Sequence, residues 1–288
     1  MAPVQQGPTT ARRRLSHALR AARDNANRTQ EQAADALEWS ISKMIRIENG
    51  RVKPTVTDVK ALLQFYGVTE PSRVDEFVAL ARAARQTSWW NEYRSQIPKG
   101  YAEFIALEAE ASALSFFSPI FIPGLLQTDD YAREAVHRSL PGQLSDDDQQ
   151  IRVEVRRKRQ EHLLRGERRP RIDVILDESV LRRVARDARV MREQLLHLIS
   201  LGTDDKIAMR VLPFSAGVHM VFSPIILLEF PAGTDPDAVY LESAISETSV
   251  LDNEEVNAYW RAYRSLAARA MTQADSLAFI AEVAAEYR

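Results

Sequence analysis

Cysteine is absent from this 288-residue chain, and only 10 glycines and 5 histidines occur in it. Without cysteine the chain forms no disulfide and no thiolate metal site, so nothing in it requires an oxidising compartment. The histidines show no metal-ligand spacing, and no Gly-rich phosphate loop, Gly-x-Ser-x-Gly elbow or His-Glu-x-x-His helix is present. We therefore predict no metal, no cofactor and no enzymatic activity.

Long apolar runs are also missing. No stretch approaches the roughly 20 apolar residues that span a bilayer, and residues 1–10 lack the apolar core of a signal peptide. We expect no membrane association and a cytoplasmic, nucleoid-associated location. A chain of 288 residues that is 45% hydrophobic is long enough for two domains, each with a sizeable core.

The charge is unevenly distributed along the chain. Residues 1–70 contain 11 Lys and Arg against 7 Asp and Glu, a local charge of +4. Because the whole chain has a charge of −2, the remainder carries −6. This asymmetry predicts an anionic partner for the N-terminal region only, ordinary scatter of surface charge being the alternative.

Residues 29–54 have the pattern of two short helices joined by a tight turn. Thr29 and Gln32 have the spacing of a capping box that opens the first helix, and Ser40 is the N-cap of the second. Gly50 ends that second helix. This arrangement is typical of a helix-turn-helix, which places its second helix in the major groove of DNA.

The second helix has a core face and an outward face. Met44 and Ile47 lie three residues apart and should be buried. The side chains expected to face outward are those of Ile41, Ser42, Lys43, Ile45 and Arg46. Exposed isoleucines suit contact with thymine methyl groups, and Arg46 can bind guanine O6 and N7 in bidentate fashion.

Residues 12–68 resemble the lambda-repressor-like, or XRE-type, DNA-binding domain, with Thr29-Gln30, Ser40, Arg46-Ile47-Glu48-Asn49-Gly50 and Pro54 at that family's spacing. The resemblance implies that Gln30 binds a backbone phosphate and that Arg23 and Glu48 form a structural ion pair. The predicted DNA contacts are Gln30, Ser40, Ile41, Ser42, Lys43, Arg46, Arg51 and Lys53.

Glu38 departs from the pattern of that family, because the equivalent turn position is usually glycine. A non-glycine residue in the left-handed region costs about 1 kcal/mol. A helical bundle without a nucleic-acid partner is the alternative interpretation of the whole N-terminal region.

Beyond residue 70 the pattern mixes helices with strands. Residues 71–88 predict a helical linker, and residues 102–114 an amphipathic helix whose Glu108 is buried against Arg156 or Arg159. Further helices are predicted at 129–138, 146–165, 189–201, 253–270 and 273–286, and strands at 171–177, 207–213, 224–230, 238–241 and 245–251. This mixture predicts an α+β domain with an antiparallel or mixed sheet behind an N-terminal all-α bundle.

A second resemblance covers about residues 89–285. Trp89-Trp90, Ile122-Pro-Gly-Leu-Leu-Gln-Thr128 and Val211-Leu-Pro-Phe-Ser-Ala-Gly217 are similar to the actinobacterial regulator domain known as DUF5753. The resemblance implies a regulator encoded beside a small acidic partner protein, in an antitoxin-like arrangement. The predicted organisation is a disordered arm at 1–10, a helix-turn-helix domain at 11–70, a linker at 71–88 and a sensor or partner-docking domain at 89–288.

The predicted function is that of a sequence-specific transcriptional regulator that binds double-stranded DNA as a homodimer. Dimerisation follows from half-site geometry. The C-terminal domain would sense a ligand or a small partner protein, and aromatic walls suit a ligand. The candidate pocket residues, for which plain core is the alternative, are Trp89, Trp90, Tyr93, Tyr101, Phe121 and His219. Two other functions remain open: an antitoxin-like protein that mainly sequesters a partner, and an enzyme fused to a DNA-targeting domain.

Overall fold

The computed structural model describes residues 7–139, 144–167, 169–231, 235–242, 247–250 and 253–287. The chain divides into two compact units. The N-terminal unit comprises Met1–Asn91 with Pro231–Asp235, and the C-terminal unit comprises Glu92–Phe230 with Pro236–Arg288. Within the described residues, no helix is both long and apolar enough to cross a membrane.

The N-terminal unit is a bundle of helices around one core. Its helices are α1 (Pro8–Asn25), α2 (Gln30–Ala36), α3 (Ile41–Glu48), α4 (Val56–Phe65) and α5 (Pro71–Ala84). Leu15 and Leu19 of α1, Met44 and Ile47 of α3, and Leu62 of α4 are at most 1% exposed and share one hydrophobic cluster. The predicted core face of the second helix in the helix-turn-helix is therefore confirmed.

Helix α1 begins three residues before the predicted start. Pro8 occupies the first helical turn, where its fixed φ suits a helix and its missing N–H costs nothing. Thr9 and Thr10 are buried, and the hydroxyl of Thr10 donates to the carbonyl of Gly7 at 3.3 Å. The predicted disordered arm is thus wrong for residues 8–10, and its residues 1–6 lie outside the described residues.

Helix α5 belongs to the bundle and is not a linker. Phe77, Leu80, Ala81 and Ala84 are at most 5% exposed in the same cluster as the other helices, and α5 packs along α1. The small side chains of the two alanines allow the helix backbones to approach closely. The linker prediction at 71–88 is wrong because an amphipathic stripe shows that one face is buried without showing against which element it packs.

The C-terminal unit is an α+β domain, as predicted. Its helices are α6 (Lys99–Glu108), α7 (Asp129–Ser139), α8 (Asp146–Leu164), α9 (Glu178–Arg182), α10 (Ala188–Leu201), α11 (Asn253–Ala267) and α12 (Gln273–Glu286). Its strands are β1 (Ala113–Ser118), β2 (Arg171–Asp177), β3 (Ile207–Leu212), β4 (Ile225–Glu229), β5 (Ala238–Glu242) and β6 (Glu247–Val250). The sheet has the order β3-β2-β1-β4-β5-β6. It is mixed, because β1, β2 and β3 are parallel while β4, β5 and β6 pair in antiparallel fashion.

The sequence does not predict strand β1. Residues 102–114 predict a single helix, and this prediction is wrong beyond Glu108. Helix α6 ends at Glu108, and Leu114 lies in β1, whose six residues are all buried. A strand that is buried on both faces shows no alternation, so a short apolar run cannot be told from a buried helix by its period. The predicted strand at 245–251 corresponds to β6, and residues 245, 246 and 251 lie outside the described residues.

The connection from β3 to β4 crosses the sheet. These strands follow one another in the chain, but β2 and β1 lie between them in the sheet. The connecting segment, residues 213–224, therefore passes over the carboxyl ends of β2 and β1, about 14 Å at the usual strand spacing. We call this segment the strap.

Candidate nucleic-acid interface

Side-chain caps define both helices of the helix-turn-helix. The hydroxyl of Thr29 accepts from the backbone N–H of Gln32 at 3.2 Å, and the side-chain oxygen of Gln32 accepts from the N–H of Thr29 at 3.0 Å. The hydroxyl of Ser40 accepts from the N–H of Lys43 at 3.2 Å. Both predicted caps are confirmed, and the Ser40 oxygen is occupied in starting α3.

Glu38 adopts the left-handed conformation that the sequence indicated, with φ of 55°. The N–H of Trp39 bonds to the carbonyl of Ala34 at 2.8 Å, which closes the end of α2 in the manner of a Schellman motif. Glycine is the usual residue at this position because it has no Cβ. The turn is therefore formed here at the expense of some strain at Glu38.

Buried Glu48 connects α3 to both preceding helices. Its side chain accepts from Arg23 of α1 through Nε at 2.7 Å and Nη2 at 3.1 Å. The amide of Gln30, on α2, donates to the same carboxylate at 2.7 Å. The hydrogen bond to Glu48 is the main cause that raises the pKa of Arg23. Arg23 and Glu48 thus lie in contact as the resemblance implied, while Gln30 has a partner inside the protein that the sequence did not indicate.

The outward face of α3 consists of Ile41, Ser42, Ile45 and Arg46. Ile41 and Ile45 are 37% and 38% exposed, which is unusual for isoleucine on a helix surface. Nε of Arg46 donates to the carbonyl of Ser42 at 3.1 Å, one turn earlier. No carboxylate among the described residues forms a salt bridge with Arg46. The four positions form one stripe, because residues i, i+1, i+4 and i+5 share a helix face.

Lys43 was predicted to face outward, and this prediction is wrong: its side chain contacts other residues of its unit. Its Nζ lies 2.8 Å from Oδ1 of Asp58 and 3.5 Å from the ring centre of Trp39. Burial opposes ionisation of Asp58, but hydrogen bonds from Lys43 and Thr55 outweigh it and lower the pKa of that carboxyl. The contact links α3 to the start of α4, so we do not assign Lys43 to phosphate binding. Among the other predicted cations, Arg51 is exposed and Lys53 half-buried.

The six aromatic and histidine residues predicted as a pocket are divided between the two units. Trp89 and Trp90 belong to the N-terminal unit and pack edge to face. In the C-terminal unit, the hydroxyl of Tyr93 donates to Glu154 at 2.9 Å, and Nε2 of His219 lies 3.3 Å from Oδ2 of Asp177. The remaining two predicted residues, Tyr101 and Phe121, line the same small cavity.

That cavity has a volume of only about 40 Å³ and adjoins a buried ion pair. Nε and Nη2 of Arg159 each lie 2.6 Å from a carboxylate oxygen of Glu108, and Nη1 donates to Tyr101 at 2.8 Å. Burial alone would lower the pKa of Arg159, but the adjacent Glu108 raises it. The buried Glu108 and its cationic partner are thus as predicted, and the partner is Arg159. Ligand pockets are typically about 300–1,000 Å³, so this cavity is too small for one.

A larger cavity of about 670 Å³ lies between α7 and α8. Its lining is mostly charged and includes Asp129, Glu134, Arg133, Arg157 and Arg186. The sequence gives no signal for this cavity, because each of its charged residues is also typical of an ordinary solvent-exposed helix face. The sequence likewise gives no periodic signal for the strap, whose only regular element is the short 3₁₀ turn Phe214–Ala216 and which pairs with no strand of the described sheet.

The capped helix pair, its fixed turn and the outward stripe of α3 define a helix-turn-helix protein of the DNA-binding regulator class. Comparison with known families agrees: residues 14–77 match a helix-turn-helix domain, and residues 101–282 match a domain of unknown function, DUF5753. The second match covers most of the chain, which belongs to the DUF5753 family. No curated protein and no solved structure gives a match.

Proposed function

We propose that this protein is a sequence-specific transcriptional regulator that reads DNA with α3 in the major groove. The observation that supports this proposal best is the outward stripe of Ile41, Ser42, Ile45 and Arg46 on a helix held by Glu48. The stripe lies outside the hydrophobic core of its unit, and its residue types match the donor, acceptor and methyl groups of base edges. Fixing the helix in advance reduces the entropy lost on binding.

Each side chain has a distinct role in this proposal. Arg46 donates to O6 and N7 of a guanine, while Ile41 and Ile45 contact thymine methyl groups. Arg51 contacts the phosphate backbone, which positions the domain without reading sequence. Gln30 sits at the start of α2, where the second N–H of its side-chain amide can donate to a phosphate while the first N–H is bound to Glu48.

Substitution of Arg46 and Arg51 separates base reading from phosphate binding. A cognate site is first selected from random duplexes with the full chain. We expect Arg46→Ala to weaken binding to this site by about 1–3 kcal/mol and to relax one base position, with little effect on random DNA. Arg51→Ala should weaken both and reduce the slope of log K against log salt by about 1. Equal losses for Arg46→Ala on cognate and random DNA would contradict base reading by this residue.

Replacing thymine by uracil in the selected site tests the two isoleucines, because it removes only the methyl group. A buried methyl group contributes about 0.8 kcal/mol, so each contacted thymine should account for about a fourfold loss of affinity. Ile41→Ala or Ile45→Ala should bind more weakly and become insensitive to uracil at its own position. If both variants keep the full sensitivity of the original protein, the isoleucines do not contact methyl groups.

We also propose that the C-terminal unit supplies the regulatory input, from a small ligand or a small partner protein. The 670 Å³ cavity between α7 and α8 supports a polar ligand, because its volume is in the usual range and its walls carry both signs of charge. An effector of this kind would change DNA affinity and raise the melting temperature of the full chain. Arg157→Ala, which alters the cavity wall, should abolish both effects while leaving DNA binding without effector unchanged.

A further inference from the structure

The strap carries an unusual concentration of exposed apolar side chains. Phe214, Val218, Met220 and Phe222 are 59%, 88%, 77% and 72% exposed. Residues 213–224 contain no Asp, Glu, Lys or Arg, although 27% of the whole chain is charged. Contiguous apolar surface of this kind on a soluble domain marks an interaction site.

Beyond the 3₁₀ turn at Phe214–Ala216, residues 218–222 of the strap have side chains that alternate between outward and inward. Val218, Met220 and Phe222 face outward, whereas His219 and Val221 between them face the sheet. The ring of His219 packs against Phe117 with ring centres 5.3 Å apart, and Val221 packs against the core cluster that contains Phe117. This alternation is that of a β-strand, although the strap belongs to no sheet.

The conformation of the strap is fixed by contacts at its base. Nη2 of Arg269 donates to the carbonyls of Ala216, Gly217 and Val218 at 2.6, 3.1 and 3.0 Å. In the described part of the chain, the backbone N–H and C=O groups of residues 219–223 form no hydrogen bond to other backbone groups. A held, extended segment with open backbone groups is a template for another strand.

We propose that the strap pairs with the strap of a second copy of this chain. The two segments would run antiparallel about a two-fold axis at Met220, so that Met220 faces Met220 and Val218 faces Phe222. Such an interface is isologous, and an aromatic side chain opposite a β-branched one is a favourable cross-strand pair. The choice of a second copy rests on the proposed function, because helix-turn-helix proteins read paired half-sites as dimers.

Charge and area both favour a second copy as the occupant. Since the strap has no formal charge, two straps meet without like-charge repulsion, and the strap itself offers nothing that attracts a charged partner. Val218, Met220 and Phe222 in the paired segment, together with Phe214 in the preceding turn, present on the order of 500 Å² of apolar surface. Each partner in a stable interface buries about 800 Å², so the strap can form the central part of one.

Because Met220 faces Met220 across the two-fold axis, charges of either sign placed at this position test the pairing. The experiment uses the full chain in the absence of DNA. Sedimentation velocity should show that the unsubstituted protein is a dimer. Met220→Glu and Met220→Lys should each raise the dimer dissociation constant at least about 100-fold, because the axis places two like charges opposite each other. An equimolar mixture of the two variants should recover the dimer, since Glu then faces Lys.

Leu196→Glu on α10 is the matched control, because Leu196 is also an exposed large side chain, at 43%, and lies outside the strap. It should remain dimeric, and circular dichroism should show all variants folded. An unsubstituted chain that is monomeric, Met220 variants that remain dimeric, or a mixture that remains monomeric would each overturn the inference. Because DNA is absent, these outcomes are independent of whether α3 reads DNA.

Discussion

At the residue scale, Glu48 ties α3 to the two helices that precede it. It is 1% exposed and accepts hydrogen bonds from Arg23 and Gln30, on two other helices. A buried carboxylate that loses its cationic partner is strongly destabilising, by about 3–5 kcal/mol, whereas an intact pair contributes little net stability. We therefore interpret this contact as one that positions α3, since in the proposed function the outward stripe of α3 must meet base edges at a fixed angle.

Two turn residues in the helix-turn-helix should respond oppositely to substitution. Glu38 and Gly50 both have a positive φ, of 55° and 63°. Glu38→Gly should raise the free energy of unfolding by about 1 kcal/mol, because glycine adopts this conformation without strain. Gly50→Ala should lower it by a similar amount, because alanine is strained at this positive φ although a Cβ there would make only an ordinary van der Waals contact with Ser16. Urea unfolding measures both, and a destabilised Glu38→Gly would show that the Glu38 side chain contributes more than its backbone strain costs.

At the element scale, Asp58 of α4 contacts Lys43 of α3. The free energy of unfolding should therefore depend on the ionisation of Asp58. The pKa of Asp58 is lowered from its usual 3.8 in the folded protein, so the carboxylate stabilises the fold above that pH. This contribution is lost as the pH falls through the folded-state pKa. Asp58→Asn keeps an oxygen that can accept from Thr55 but removes the negative charge beside Lys43. The difference in unfolding free energy between the two proteins should therefore be larger at pH 7 than at pH 3, and a constant difference would exclude the charge as its cause.

Helix α5 should behave as part of the N-terminal core. Phe77 is 2% exposed there, and truncation of a buried phenylalanine costs about 3–5 kcal/mol. We expect Phe77→Ala to destabilise the N-terminal unit by that amount in urea unfolding. Arg82→Ala, an exposed position on the same helix, should change it by less than about 0.5 kcal/mol. A small effect of Phe77→Ala would contradict the assignment of α5 to the N-terminal core and would favour a linker.

The elements also show which parts of the structure can be predicted from the sequence. The caps at Thr29 and Ser40 and the left-handed Glu38 were predictable, because their signals lie within three or four residues. The partner of α5 was not, since packing between distant elements leaves no local pattern. Strand β1 was hidden by its complete burial. The strap could not be recognised either, because its geometry follows from the order of strands in the sheet.

At the scale of the whole molecule, the two units use different kinds of contact. The N-terminal unit is helical, and the outward stripe lies on α3, which is held by contacts with the two helices that precede it. The C-terminal unit depends on its mixed sheet, whose parallel strands join segments far apart in the chain. The predicted DNA contacts all lie in the first unit, and the strap and the charged cavity in the second, so the proposed DNA binding and the proposed regulation can be tested by separate substitutions.

The position of β1 in the sheet has a consequence for synthesis on the ribosome. Ala113–Ser118 lies between β2 and β4, and its register with β4 reaches Glu229. Its six buried residues therefore emerge more than a hundred residues before their second neighbour exists. The N-terminal bundle can fold meanwhile, since domains generally fold as units in the order in which they are made. During synthesis the N-terminal bundle can therefore be folded while the buried strand β1 still lacks its pairing with β4 at the centre of the sheet.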